Sequence, residues 1–182
     1  KQSFEIQALP ELGLKFKEYN FENIVCKRSN LPNGYKYEFE NLKPLKYEIY
    51  SPSFYDHAPY VLFGLDKFYL EGVEGDAKTW ESFSSWMYNN LLPGTEELTP
   101  ETIQKAKELT QHVSDPVEKA KILYTYMQNK SRYVAIMLGI GGWKPMKAKD
   151  VDRLGYGDCK ALSNYMRSLL TAVGVNSDYA VI

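Results

Sequence analysis

The 182 residues carry 22 Lys and Arg against 23 Asp and Glu, a formal charge of −1, and 44% of them are apolar. That is enough apolar chain for one ample core or two small ones. A balance this close to neutral leaves no electrostatic footprint for nucleic acid, and the longest apolar run, residues 133–143, is short and broken by glycines, so no transmembrane helix is expected.

The first third alternates like sheet. Residues 21–26 (FENIVC) and 35–40 (YKYEFE) both suit half-solvated strands, and the second puts Tyr35, Tyr37 and Phe39 on one face. Between them, Asn33-Gly34 is a strong tight-turn pair. Prolines at 44, 52 and 59 then break the chain into extended pieces, and 60–70 reads as a further strand. The 15 tyrosines are expected mostly as half-buried strand residues, with a protein- or glycan-binding face as the alternative.

From about residue 77 the period changes to that of helix. Trp80, Phe83, Trp86, Met87 and Leu91 recur at helical spacing until Pro93-Gly94 stops them. Thr99 before Pro100 caps the next helix, whose stripe is Ile103, Ala106 and Leu109. Asp115 with Glu118 opens a third, with Ala120, Leu123, Tyr124 and Met127 on one face. Residues 132–145 (RYVAIMLGIGGWKP) read as a short strand followed by a glycine-rich loop. A phosphate loop needs Gly-Lys-Ser/Thr before a helix, and Gly-Trp-Lys-Pro does not supply it. Residues 147–154 suit a short helix with Gly155 as its left-handed stop. The expected class is α+β, with a β-rich portion over 1–76 and a helical one over 77–182.

The chemistry centres on 155–163 (GYGDCKALS). Asp158 is a favourable N-cap, so Cys159 falls at the first helical position, three residues before Leu162 on the inward side of the first turn. Leu162, Met166, Leu169, Leu170 and Val173 form the apolar face, and Gly174 ends the helix. A thiol at a helix start meets unpaired amides and a positive end, which favour the thiolate. Its own N–H can donate to an oxyanion formed on an acyl group it attacks. The opposing reading is a small buried hydrophobe. Cys26 and Cys159 lie in unlike settings and read as independent thiols. Neither has a second cysteine or a histidine at ligand spacing, so no metal or other cofactor is expected. Trp143 is a candidate wall or indole donor near the thiol, or simply core.

Taken in order, Arg132-Tyr133-Val134, Gly139–Gly142, Trp143, Pro145, Gly157-Asp158-Cys159-Lys160, Leu169-Leu170 and Gly174 make up a pattern that resembles the core of the transglutaminase-like superfamily. The bacterial form it resembles follows a β-rich amino-terminal domain of unknown function, and residues 37–63 are similar, more weakly, to the end of that domain. The resemblance implies a papain-like cysteine fold and thiol-dependent acyl transfer or amide hydrolysis, with Cys159 as nucleophile on a protein or peptide substrate. It also implies a His and an Asp downstream of the nucleophile helix. The sequence opens on Lys1 and stops at Ile182, before such residues, and Asp178 comes too early for them. The chain is therefore expected to be a piece of a longer protein and inactive alone. His57 and His112 match no position of the pattern, and Asp158 reads as a cap rather than a triad member. The alternative is a non-catalytic scaffold module with a degenerate core. Residues 177–182 are expected to form an edge strand available for self-association, and the resemblance implies a periplasmic or extracellular setting.

Overall fold

A computed structural model describes residues 1–22, 24–46, 48–70 and 72–181. The described residues carry both helices and small, mostly antiparallel sheets, an α+β architecture. The chain divides into two compact units, Lys1–Phe83 and Ser84–Ile182.

In the first unit, β1 (Gln2–Gln7), β2 (Leu14–Tyr19), β3 (Cys26–Leu31), β4 (Gly34–Phe39), the one-turn helix α1 (Phe54–His57) and β5 (Tyr60–Leu65) are followed by the hairpin β6 (Lys67–Leu70) and β7 (Val73–Asp76). One sheet runs β1-β4-β3 and a second pairs β2 with β5. The face of Tyr35, Tyr37 and Phe39 points inward as its alternation requires. Tyr37 is 1% exposed and stacks on Phe4 at 5.0 Å, while Phe63 of β5 meets Phe4 at 6.2 Å and Tyr37 at 6.3 Å, edge-on in both cases. An ion pair crosses between the sheets. Arg28 on β3 donates twice to Glu18 on β2, at 2.7 Å each, and the Tyr37 hydroxyl donates to the same carboxylate at 2.9 Å. The Arg28 bonds hold the Glu18 carboxyl below its ordinary range despite partial burial.

Three local expectations change. The strand expected from Phe21 starts only at Cys26, which pairs with Phe39, the last residue of β4; upstream of that point the partner has run out. Asn23, inside the expected strand, lies outside the described residues. The β3–β4 turn is Pro32-Asn33, one residue earlier than Asn33-Gly34 suggests. Gly34 is instead a strand residue, required because a Cβ there would lie 1.8 Å from the Ile6 carbonyl oxygen of β1. The stretch 60–70 forms two strands, separated at Asp66.

The helices are α2 (Trp80–Asn90), α3 (Pro100–Thr110), α4 (Pro116–Lys130), α5 (Ala148–Leu154) and α6 (Cys159–Ala172). A short parallel pair, β8 (Arg132–Tyr133) and β9 (Tyr156–Gly157), and a 3-10 turn over Gly139–Gly142 lie among them. The caps are where local chemistry puts them. Thr99 accepts from the Thr102 N–H at 3.3 Å and Asp115 from the Glu118 N–H at 2.8 Å. The core of the second unit gathers Ala106, Leu123, Met127, Val151, Tyr165 and Leu169 from α3 to α6. On α3 the buried positions are Thr102, Ala106 and Thr110, because the Thr102 hydroxyl is drawn in by Asp152 at 2.9 Å and that of Thr110 bonds the Ala106 carbonyl at 2.9 Å. On α4, Tyr124 is exposed and Tyr126 packs on the core in its place.

Asp152 of α5 joins four helices. It accepts from Thr102 of α3, from Lys130 of α4 at 2.5 Å and from the Tyr165 hydroxyl of α6. Burial alone would raise its carboxyl, yet these three donors hold it below the ordinary aspartate range. The Tyr165 hydroxyl is pushed up, first by burial and then by the same carboxylate.

Candidate active site

The stretch before the cysteine folds as three consecutive devices. Gly155 ends α5 with φ of 69°, a left-handed conformation that costs glycine little, and donates to the Val151 carbonyl. Tyr156-Gly157 then pairs in parallel with Arg132-Tyr133, locked by Arg132 N–H to Gly155 O (3.1 Å) and Val134 N–H to Gly157 O (3.0 Å). Asp158 caps α6, accepting from the Ala161 N–H at 2.9 Å, and its other oxygen takes the Lys160 ammonium at 2.5 Å. The Asp158 side chain is buried and fully used by these two bonds, consistent with a cap.

Cys159 follows at the first helical position and is exposed. The expectation of an inward-facing thiol is corrected by the burial pattern of α6. Its inner stripe is Ala161, Asn164, Tyr165, Ser168 and Leu169, and residue 159 lies on the opposite side of the helix. Leu162 and Met166 only flank the core. Asn164 sets this rotation: its amide donates to the Thr95 carbonyl at 2.8 Å, inside the protein. The N–H groups of Cys159 and Lys160 find no acceptor among the described residues, as expected for the first amides of a helix. Neither cysteine is in a disulfide.

Beside Asp158 lies a cleft of about 320 Å³. It is lined by Asp158 and Ala161 at the start of α6 and by the apolar Val134, Ile136, Ile140 and Met146 from the segment between β8 and α5. Trp143 is 42% exposed and is not among these walls; its N–H donates to the Ile140 carbonyl at 2.9 Å, closing the 3-10 turn. The glycine-rich run therefore shapes the cleft through Ile140 and Gly141 rather than through the indole.

The expected strand over 177–182 is not formed by residues 177–181, and Ile182 lies outside the described residues. Among the described residues no strand pairs with residues 177–181. After Gly174, with φ of 74°, the Val175 N–H bonds the Leu170 carbonyl at 2.9 Å and the chain turns back along α6. This return brings Tyr179 within electrostatic range of Cys159 and Asp158. Its hydroxyl is pushed above the ordinary phenol range, first by burial and then by those two groups. Tyr179 has no motif around it, and only the αL turn at Gly174 hints that the chain reverses there.

His57 belongs to the first unit, edge-on to Phe54 at 6.1 Å. His112 sits in the turn after α3, and among the described residues neither histidine bonds Cys159. No cluster of three or more His, Cys, Asp and Glu is placed to hold a metal ion among the described residues. No helix among them is long and apolar enough to cross a membrane.

The arrangement is thus an exposed cysteine at a helix start whose N-cap, Asp158, lines an apolar cleft. No family model matches the sequence, and no curated protein matches it. Among solved structures the chain is similar to the crystal structure of a "putative protease" from Parabacteroides distasonis ATCC 8503, with a TM-score of 0.57 and 15% identity. The likeness covers 94% of this chain and 31% of that one, so the chain spans about a third of its neighbour's length. At this identity the likeness establishes the fold.

Proposed function

We propose that this chain presents the nucleophile of a thiol-dependent acyl transferase or amide hydrolase of the transglutaminase-like kind. The observation that carries the reading is the exposed Cys159 at the first position of α6, where its own N–H and that of Lys160 are unengaged helix amides. The motif order around it and the protease-like neighbour support the same reading. The sulfur attacks an amide carbonyl, forming a C–S bond while the carbonyl electron pair moves to oxygen. In this reading the unengaged Cys159 N–H donates to that oxyanion. Collapse breaks the C–N bond, and the amine leaves with the proton that an imidazole took from the thiol; water or a second amine then takes the acyl group. The reading needs an imidazole and a carboxylate, and no histidine is hydrogen-bonded to Cys159 among the described residues.

p-Nitrophenyl acetate tests the nucleophile without needing the base. One acetyl group is expected on Cys159 by intact-mass and peptide analysis, none on Cys159→Ser, and negligible turnover of peptide amides by residues 1–182. Acetylation slower than that of free N-acetylcysteine, or located on another residue, would sink the proposal. Peptide-amide cleavage by residues 1–182 that Cys159→Ser abolishes would overturn the expectation that these residues are inactive alone.

A further inference from the structure

The cleft beside Asp158 has a charge pattern that its apolar walls conceal. Four ionisable residues line it: Lys144, Lys147, Asp150 and Asp158. Both carboxylates are already taken, Asp150 by Arg153 at 3.2 Å and Asp158 by Lys160 at 2.5 Å. The two lysines have neither an ion pair nor a side-chain hydrogen bond among the described residues. The cleft therefore combines apolar walls with two uncompensated cations. Ammonium groups beside an apolar surface keep their heads in water and attract an anion that docks next to it.

We infer that this cleft is a substrate subsite that takes one aliphatic or aromatic side chain of a peptide with a carboxylate next to it in sequence. The inference rests on the reading of Cys159 as nucleophile, and it names the class of acyl donor for that site. Three features fix the occupant. A volume of about 320 Å³ between Val134, Ile136, Ile140 and Met146 accommodates one large apolar side chain, and burying it against these walls drives binding. The free lysines favour an acidic neighbour over a basic or neutral one. Asp158, which lines the cleft, directly precedes Cys159 in the chain, so the cleft and the thiol share the start of α6.

The test uses Cys159→Ser protein, so that binding is read without reactivity, and follows methyl resonances during titration with N-acetyl-Leu-Glu-amide, N-acetyl-Leu-Lys-amide and N-acetyl-Ala-Gln-amide. The Leu-Glu probe is expected to shift the methyls of Val134, Ile136, Ile140 and Met146 and to saturate in the millimolar range, on the order of 1 mM. The other two probes are expected to bind about tenfold or more weakly. Ile136→Asp should cost about tenfold with the Leu-Glu probe. Lys144→Glu should bring the Leu-Lys probe level with it. Lys147→Glu, at an exposed position, repeats the charge test should the first reversal disturb folding.

Shifts outside the cleft, no shifts at about 10 mM, or equal binding of all three probes would overturn the inference. Peptide binding in the cleft together with an unreactive Cys159 would leave the subsite standing and remove the nucleophile. A Cys159 that is acetylated while no peptide shifts the cleft would do the reverse.

Discussion

Gly157 has no room for a side chain, and the reason lies in how abruptly the chain passes from β9 into α6. A Cβ there would stand 2.8 Å from the Ala161 Cβ, one turn into the helix, and 3.5 Å from Leu162. Neither contact is with the far end of a flexible side chain, so the backbone must move. Gly157→Ala is expected to destabilise the protein by about 1–3 kcal/mol and to slow acetylation of Cys159, read by urea unfolding and by the p-nitrophenyl acetate assay. Gly155 differs in kind. Its left-handed φ is the constraint, and the Lys130 carbonyl 3.1 Å from a would-be Cβ adds to it. Asp158 also acts through position. Removing its carboxylate takes the cap from the Ala161 N–H and the partner from Lys160. Asp158→Ala is expected to cost about 1–2 kcal/mol by thermal unfolding, whereas Asp158→Asn, which keeps the cap, should cost less.

At the scale of elements, helix starts were legible because their determinants are local. Thr99, Asp115 and Asp158 each stand next to the turn they cap, and each is found bonded to the expected N–H or one position from it. Strand limits were less legible because a strand ends where its partner does. The sequence from Phe21 has the pattern of sheet, but β4 stops at Phe39, opposite Cys26, and leaves Ile24 and Val25 unpaired. Residues 177–181 fail for the same reason. Within the candidate site, Asp158 and Cys159 could be placed from sequence, since a cap and a first helical position are adjacent. The exposure of the thiol could not, because Asn164 and Ser168 turn a mixed polar stripe inward and displace the Leu162 and Met166 edge outward. The cleft walls come from a segment with no regular period, held by turns, and Tyr179 returns to the helix start through a reversal that Gly174 alone hints at, without fixing where the chain goes next.

At the scale of the molecule, the second unit is organised around one carboxylate. Asp152 holds α3, α4 and α6 to α5, with its side chain 13% exposed, while the Lys130 side chain remains 34% exposed. A fully buried pair broken on one side costs about 3–5 kcal/mol. The partial solvation of Lys130 screens the interaction, so Asp152→Ala is expected to cost about 2–3 kcal/mol. The pH dependence follows from the depressed carboxyl. Its stabilising contribution is fully present above the unfolded aspartate value near 4 and is lost as pH falls through the lower folded value. Asp152→Asn is expected to flatten the acid limb of the stability curve, measured by urea midpoints at successive pH values. An unchanged acid limb would show that other carboxylates govern it.

The short parallel pairing of β8 with β9 has a dynamic meaning. It is the clasp of a long loop that contains both the cleft walls and α5, and it closes immediately before the cysteine. Two residues on each side provide few hydrogen bonds, so a clasp of this size can open without the helical core unfolding. When it opens, the Val134 wall and the first turn of α6 lose their shared anchor in the same event. The cleft and Cys159 are in this sense tied to one opening event, and a ligand that bridges them would slow amide exchange at Arg132 and Val134 as well as at its own contacts.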